Sequence, residues 1–245
     1  MRLSIIVITV VSLLLFFQPS LSATYEIGVE VGKWAEYEFS IKWTSSSPQA
    51  TIPKAVEEAK NIDYIKVEVK EVSNRTTVKI VEEIYYKNGT KKIGFYIGDV
   101  RTGKGNLSIQ IIAANLREGD RIFEDPGAPV INASGFKEYA GVTRMVNKLR
   151  LESGVWNETI IDFYWDRATG FLCEMIVLNN ISTETSISTS IITWRITRTN
   201  LWTSSPDATF ILAGIVFLAI IGCTLYLYLL KTKRDKKLKR KWMRL

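Results

Sequence analysis

The chain contains few of the residues that usually carry out enzyme chemistry. It has no histidine, so Ser-His-Asp and Cys-His nucleophile systems and the HExxH zinc site are absent. One pair of carboxylates is of interest, because Asp162 and Glu174 lie on two predicted strands that flank the turn Asp166–Gly170. If Trp165 faces Phe171 across this turn, Asp162 lies opposite Glu174. The two could then share a proton or hold a cation; the alternative is two solvated side chains.

The two cysteines indicate neither catalysis nor cross-linking. Cys223 lies in an apolar C-terminal segment, which leaves Cys173 without a disulfide partner in the rest of the chain. We predict that Cys173 is an apolar strand residue, since no nearby group is basic enough to make it a thiolate. No metal or cofactor is predicted.

Six Asn-x-Ser/Thr motifs are candidate N-glycosylation sites, and several lie in or beside predicted turns, where an acceptor is exposed. They are Asn74, Asn88, Asn106, Asn132, Asn157 and Asn180. Their number favours selection for glycosylation. The alternative is that they follow from the composition of a Thr-rich chain.

The C-terminal region predicts a membrane anchor. Residues 206–230 are assigned to a transmembrane helix whose apolar part, 209–230, contains no charged residue. At about 1.5 Å per residue this part spans roughly 33 Å, enough for a bilayer core of about 30 Å. The tail, 231–245, carries nine Lys/Arg against one Asp, so we expect it in the cytoplasm, in contact with anionic lipid.

The N-terminus predicts export. Residues 1–22 have the features of a signal peptide: Arg2, an apolar stretch over Ile5–Phe17, and small residues before a cleavage site after Ser22. The alternative is a retained N-terminal anchor. Together the two ends predict a single-pass type I protein of the cell membrane, with residues 23–205 outside.

The high net charge of the chain, +7, does not describe the exported region. Once the tail and Arg2 are excluded, 22 basic and 24 acidic residues remain. This part is mildly acidic, so nucleic acid is not expected as a partner.

Residues 23–205 are predicted to be β-rich, because apolar and polar residues alternate over long stretches. The first half contains strands at 35–43, 62–72, 76–86, 91–100 and 107–114, and one short helix over 51–60 that begins near Pro53. Asn88-Gly89 predicts a type I′ hairpin turn. The second half contains strands at 139–151, 159–165, 171–178 and 186–197.

Four runs resemble a set found in uncharacterised exported archaeal proteins with one C-terminal membrane helix. They are Gly98–Asn106 (GDVxTGxGN), Ala114–Leu116 with Gly119–Asp120, Tyr139–Arg144 (YAGVxR), and Tyr164–Glu174 (YWDxxTGxLxE). The resemblance covers nearly the whole exported region and implies no activity. The Trp-Asp-x-x-Thr-Gly hairpin is also similar to the LolA-like lipoprotein-carrier fold, which implies a curved antiparallel sheet around an apolar ligand.

The predicted fold class is therefore all-β or β-dominated α+β: a curved antiparallel sheet with one short helix, followed by a single C-terminal transmembrane helix. The predicted function is a non-catalytic binding or interaction module for an apolar or glycan ligand or a surface protein. Trp156, in a polar turn, is the candidate ligand contact at the mouth of an apolar concavity; the alternative is that it folds back onto the end of the sheet. The alternatives are a structural role in the cell envelope, or a carboxylate-based glycan hydrolase using Asp162 and Glu174.

Overall fold

The computed structural model describes residues 24–107, 109–154, 157–182 and 186–202. In this part of the chain nine strands and one short helix form a β-dominated domain, as the alternating patterns predict. The elements are β1 (Trp34–Ser45), α1 (Lys54–Ala59), β2 (Ile62–Ser73), β3 (Thr77–Tyr86), β4 (Lys91–Asp99), β5 (Ala133–Tyr139), β6 (Val142–Ser153), β7 (Asn157–Asp166), β8 (Leu172–Ser182) and β9 (Ile187–Thr199).

The strands form one open, curved antiparallel sheet in the order β4-β3-β2-β1-β9-β8-β7-β6-β5. The first and last strands pair at its centre, from Ala35 opposite Thr199 to Ser45 opposite Ser188. Asn200 extends this pairing, because its side chain accepts from Trp34 N at 2.7 Å and donates to Gly32 O at 3.1 Å. The sheet therefore depends on a contact between the two ends of the domain.

One face of the sheet forms the core. On β1, Ala35 and Tyr37 are fully buried there, while Glu36 and Glu38 point to the opposite face. The Tyr37 hydroxyl donates to Leu172 O at 2.6 Å, so this buried phenol has its hydrogen-bond partner. We call the side that carries Tyr37 the core face and the other side the outer face.

Residues 109–131 cover the core face without forming a regular strand. The side chains of residues 111–114 are all buried, so the alternation of a half-buried strand is missing. Their backbone bonds go to separate loops, with Ile112 N donating to Gly170 O and Ala114 N to Glu26 O. The strand predicted at 107–114 is therefore wrong. Its consecutive apolar side chains are all buried, whereas a half-buried strand would bury the side chains of one face only.

One strand prediction and one turn prediction also need correction. The predicted strand 139–151 is interrupted by a turn at Ala140 and Gly141, both at positive φ, which separates β5 from β6. The β3–β4 hairpin is confirmed, but Tyr86 N donates to Thr90 O, so the loop has three residues, Lys87–Gly89, of which only Gly89 has positive φ. This is a turn with a left-handed third residue, not a type I′ turn.

The predicted signal peptide (1–22), transmembrane helix (206–230) and basic tail (231–245) lie outside the described residues. No helix in the described ranges has the length and apolar character needed to cross a membrane.

The contact between the turn after β7 and the covering residues gives a stability prediction. Gly170 has φ of +72°, and a Cβ there would lie 2.0 Å from Ile112 O. We expect Gly170→Ala to lower the free energy of unfolding by about 3 kcal/mol or more, because a left-handed backbone and a clash with backbone add together. Gly141→Ala is the control: its φ is +74°, but nothing lies within 4 Å, so about 1–2 kcal/mol is expected. Urea unfolding of the full chain measures both; equal losses would contradict this account.

Candidate functional site

Asp162 and Glu174 lie on the outer face but are not opposite each other. Asp162 pairs with Ile176, and Glu174 pairs with Tyr164. A register shift between Tyr164 and Trp165 changes the pairing near the turn, so Trp165 pairs with Leu172. The expected facing arrangement of the two carboxylates is therefore not found, and each belongs to a different ion-pair cluster.

Asp162 is held by two cations from β6. Arg150 donates from Nε to Oδ1 at 2.7 Å and from Nη2 to Oδ2 at 2.8 Å, which is a bidentate pair. Lys148 Nζ lies 3.3 Å from Oδ1. The hydrogen bond from Arg150 lowers the pKa of Asp162 below its ordinary value, against the opposing effect of partial burial. Asp162 is therefore a stable carboxylate and a poor general acid.

Glu174 is buried, with 4% of its surface exposed, and is surrounded by three donors. Lys137 Nζ and the Tyr139 hydroxyl both donate to Oε2, the latter at 3.0 Å, and Arg195 Nη1 donates to Oε1 at 3.3 Å. Burial, followed by the charge of Glu174, raises the pKa of Tyr139 well above its ordinary value. The carboxylate is thus fully hydrogen-bonded and lies beside two cations, which is a structural arrangement.

Residues of β5 reach Glu174 because the end of the β5–β6 hairpin curls over β7 and β8. Arg195 on β9 shows the extent of this curvature, since its Nη2 donates to Glu138 O on β5 at 2.9 Å. Lys137 Nζ also lies 3.7 Å from the centre of the Tyr164 ring, a cation–π contact. None of these partners is close in sequence to Glu174, and no local pattern could have indicated them.

Asp166 begins the β7–β8 turn as predicted, accepting from Thr169 N at 2.8 Å. It is also fully buried and paired with Arg144, whose Nε lies 2.6 Å from Oδ2. Each of the three carboxylates therefore has at least one cation beside it. Among the described residues, no group of three or more His, Cys, Asp or Glu is placed to hold a metal ion. The arrangement can stabilise the sheet, but it offers no free acid and base.

Cys173 lies between these clusters, in the irregular stretch of β8, and is fully buried. Burial raises the pKa of its thiol well above the ordinary value. It is therefore the apolar strand residue that was predicted.

A second feature of the outer face was not predicted: an exposed apolar row on edge strand β4. Ile93, Phe95 and Ile97 are 44%, 73% and 42% exposed. Alternation alone predicts that such a row faces the core. The row faces outward because the core side has little space: a Cβ on Gly94 would lie 2.7 Å from the Tyr96 ring, and one on Gly98 would lie 2.5 Å from Leu107. The two glycines were the signal in the sequence that the other side of β4 faces the core.

An open cleft of about 270 Å³ lies beside this row. Phe95, Ile97 and Val81 line it on the outer face, together with Lys70 and Lys79. The two lysines are paired with Glu68 and Glu71, so the cleft carries little uncompensated charge. Its character is apolar.

The other predicted site residues are dispersed. Trp156 lies outside the described residues, and Asn157 starts β7 with a side chain that is also outside them. Of the remaining sequon asparagines, Asn74 and Asn88 lie in exposed turns. Asn106 and Asn132 occupy hydrogen-bonded loop positions, and Asn180 lies in a strand.

The Asp162–Arg150 pair predicts a pH dependence. A carboxylate whose pKa is lower in the folded state stabilises the fold above its ordinary pKa, about 4, and this contribution is lost as the pH falls through the folded-state value. We expect Asp162→Asn to be less stable than the wild type at pH 7, with a difference that shrinks below about pH 4. Urea unfolding at pH 7, 5 and 3 measures it, with Glu158→Gln, an exposed carboxylate on the same strand, as control. A difference that stays constant to pH 3 would show that the ion pair is not its source.

Comparison with known proteins adds no functional assignment. No protein-family model matches the chain, and no curated protein is significantly similar to it. The resemblance to exported archaeal proteins therefore stays a prediction.

Proposed function

We propose that the chain is a single-pass type I protein of the cell surface whose exported β-domain is a non-catalytic binding module. The apolar cleft beside Phe95 is its binding surface, and its ligand is an apolar molecule or an apolar group on a surface partner. The observation that carries this proposal is the exposed row Ile93, Phe95 and Ile97 with its adjoining cleft.

The membrane placement rests on the two ends of the sequence. The signal-peptide features of residues 1–22 support export, and the uncharged segment 209–230 with the basic residues after it supports a span with the C-terminus in the cytoplasm. Anionic lipid is then a partner of the tail.

The non-catalytic part of the proposal is supported by the state of the carboxylates. A glycan hydrolase needs one carboxyl group that can give up a proton and a second that can act as base or nucleophile. Asp162 is instead held ionised by Arg150 and Lys148, and Glu174 is enclosed by Lys137, Tyr139 and Arg195. Both carboxyl groups therefore form contacts that stabilise the fold.

The location of the binding surface is supported by what occupies the rest of the sheet. The core face, where a carrier-like sheet would hold an apolar ligand, is covered by the protein's own residues 109–131. An apolar row on a strand edge, by contrast, has no such cover in the described structure. Large exposed apolar groups of this kind mark interaction sites more often than scattered surface residues do.

Binding at this surface is tested by replacing its most exposed member. Small molecules that co-purify with the full chain from native membranes are identified by mass spectrometry, for wild type and for Phe95→Ser. Because burying a phenylalanine side chain contributes about 2 kcal/mol, we expect roughly 30-fold weaker retention of the apolar ligand. Phe136→Ser is the matched control, since Phe136 lies on the opposite edge strand and is 70% exposed. Unchanged retention by Phe95→Ser, or equal loss in both variants, would rule out this surface.

The membrane topology is tested separately. With a tag at the C-terminus, protease added to intact cells is expected to remove the exported domain and leave the tag protected. Digestion of the tag while the membrane stays sealed would contradict the type I orientation.

A further inference from the structure

We propose that Asn88 is an N-glycan acceptor and that the first sugar lies in the cleft between the β3–β4 loop and the end of α1. This inference rests on the proposed export of the domain, because the glycosyl donor and transferase are met during export. It selects one site from the six sequons by the geometry of the folded chain.

Asn88 has the three properties that an acceptor needs. It is exposed in the β3–β4 loop, outside both strands. Its Oδ1 accepts from Thr90 N at 3.0 Å and from the Thr90 hydroxyl at 2.7 Å. The hydroxyl of the sequon therefore already donates to the amide it must assist, and neither contact uses the amide nitrogen.

In the other described sequons the same groups serve the fold. The Thr76 hydroxyl of the Asn74 sequon donates to Asp99 at 2.7 Å, and the Ser134 hydroxyl of the Asn132 sequon donates to Asn147 at 2.7 Å. Their hydroxyl groups are thus turned away from the asparagine.

Asn106 and Asn180 use the amide nitrogen itself. Asn106 closes part of the β4 edge, accepting from Ile97 N at 2.8 Å and donating to Phe95 O at 3.4 Å. Asn180 lies within β8 and donates to Glu158 at 3.2 Å. A sugar on either nitrogen would lie beside a contact that the sheet uses and would leave only one N–H group to maintain it.

The space beside Asn88 supports a bound sugar. An open cleft of about 450 Å³ is lined by Tyr86, Asn88 and Thr90 of the β3–β4 hairpin and by Glu58 and Asn61 at the end of α1. The lining combines hydrogen-bonding groups with one aromatic ring, which suits a hydroxylated ring with one apolar face. The two walls are fixed together, because Lys87 N donates to Asn61 O at 2.8 Å and Lys87 Nζ donates to Lys60 O at 2.7 Å.

The reaction requires a lipid-phosphate-linked oligosaccharide as donor. A bond forms between Asn88 Nδ2 and C1 of the reducing-end sugar, while the bond from C1 to the phosphate oxygen breaks. The lipid phosphate leaves with the electron pair, and one of the two protons on Nδ2 passes to a base of the transferase. The chain supplies the acceptor and the oriented Thr90 hydroxyl.

The test uses the full chain from its native membranes. Chymotrypsin releases a peptide from Lys87 to Phe95, and its mass reports the glycan. We expect the wild type and Thr90→Ser, which keeps the hydroxyl, to carry the added mass. Asn88→Gln and Thr90→Val should lose it. An unmodified Lys87–Phe95 peptide in the wild type, or a modified one in Thr90→Val, would overturn the assignment.

The same digest separates this inference from the proposed function. If the mature chain begins near Ala23 and the peptide is bare, export stands and the acceptor assignment fails. If residues 1–22 are retained and every sequon is bare, the proposed export fails first.

The position of the sugar is tested by hydrogen exchange. The native chain is compared with the same sequence made in a bacterial host without N-glycosylation. We expect slower exchange in the glycosylated chain for peptides covering Lys60–Tyr64, and equal exchange around Ala140 and Gly141. Equal exchange at both places would show that the sugar does not occupy the cleft.

Discussion

The backbone ladder between β1 and β9 is the contact on which the rest of the domain depends. It joins the meander β1–β4 to the meander β5–β9. The core face is continuous across this junction, so neither group of strands forms the whole face alone. Tyr37 shows the coupling: it lies opposite Ile196 on β9, and its hydroxyl is bound by Leu172 on β8. The Asn200 side chain closes the end of the same ladder on Gly32 and Trp34. A single curved sheet results, with one face left to be covered.

The covering residues, 109–131, decide where function can lie. They donate and accept backbone bonds at the β7–β8 turn and near the N-terminus, and they satisfy buried polar groups of the sheet. The Trp165 ring nitrogen donates to Ile109 O, and the Asn147 amide donates to Leu116 O, both at 2.8 Å. With the core face filled in this way, the outer face and the strand edges carry the surfaces open to ligands. The ion pairs around Asp162 and Glu174 occupy the outer face in the β5–β9 part of the sheet, whereas β4, at the opposite edge, carries the exposed apolar row.

Local patterns predicted the strands but not their arrangement. Alternation in Ala35–Trp43 and in the β7 and β8 stretches is a property of neighbouring residues, and those strands are where they were expected. The turn at Ala140 was missed because alanine rarely adopts positive φ, which left Gly141 as the single sign of a break in the strand pattern. The pairing of Glu174 with Lys137 and Arg195 was out of reach because sheet curvature brings those side chains together. The same holds for residues 109–131, whose apolar run resembles a strand until its separate partners are known.

Placing the last strand beside the first also sets the order in which the domain can fold. Strands β1 to β4 can pair as soon as they are made, because each partner follows directly in the chain. One edge of β1, however, has to wait until β9 has been synthesised, since residues 46–186 separate the two strands. During that interval β1 presents unpaired backbone groups next to apolar side chains, the condition under which strands associate with foreign edges. Such non-local pairing slows folding, and a chain that stops short of β9 leaves this edge of β1 without its partner.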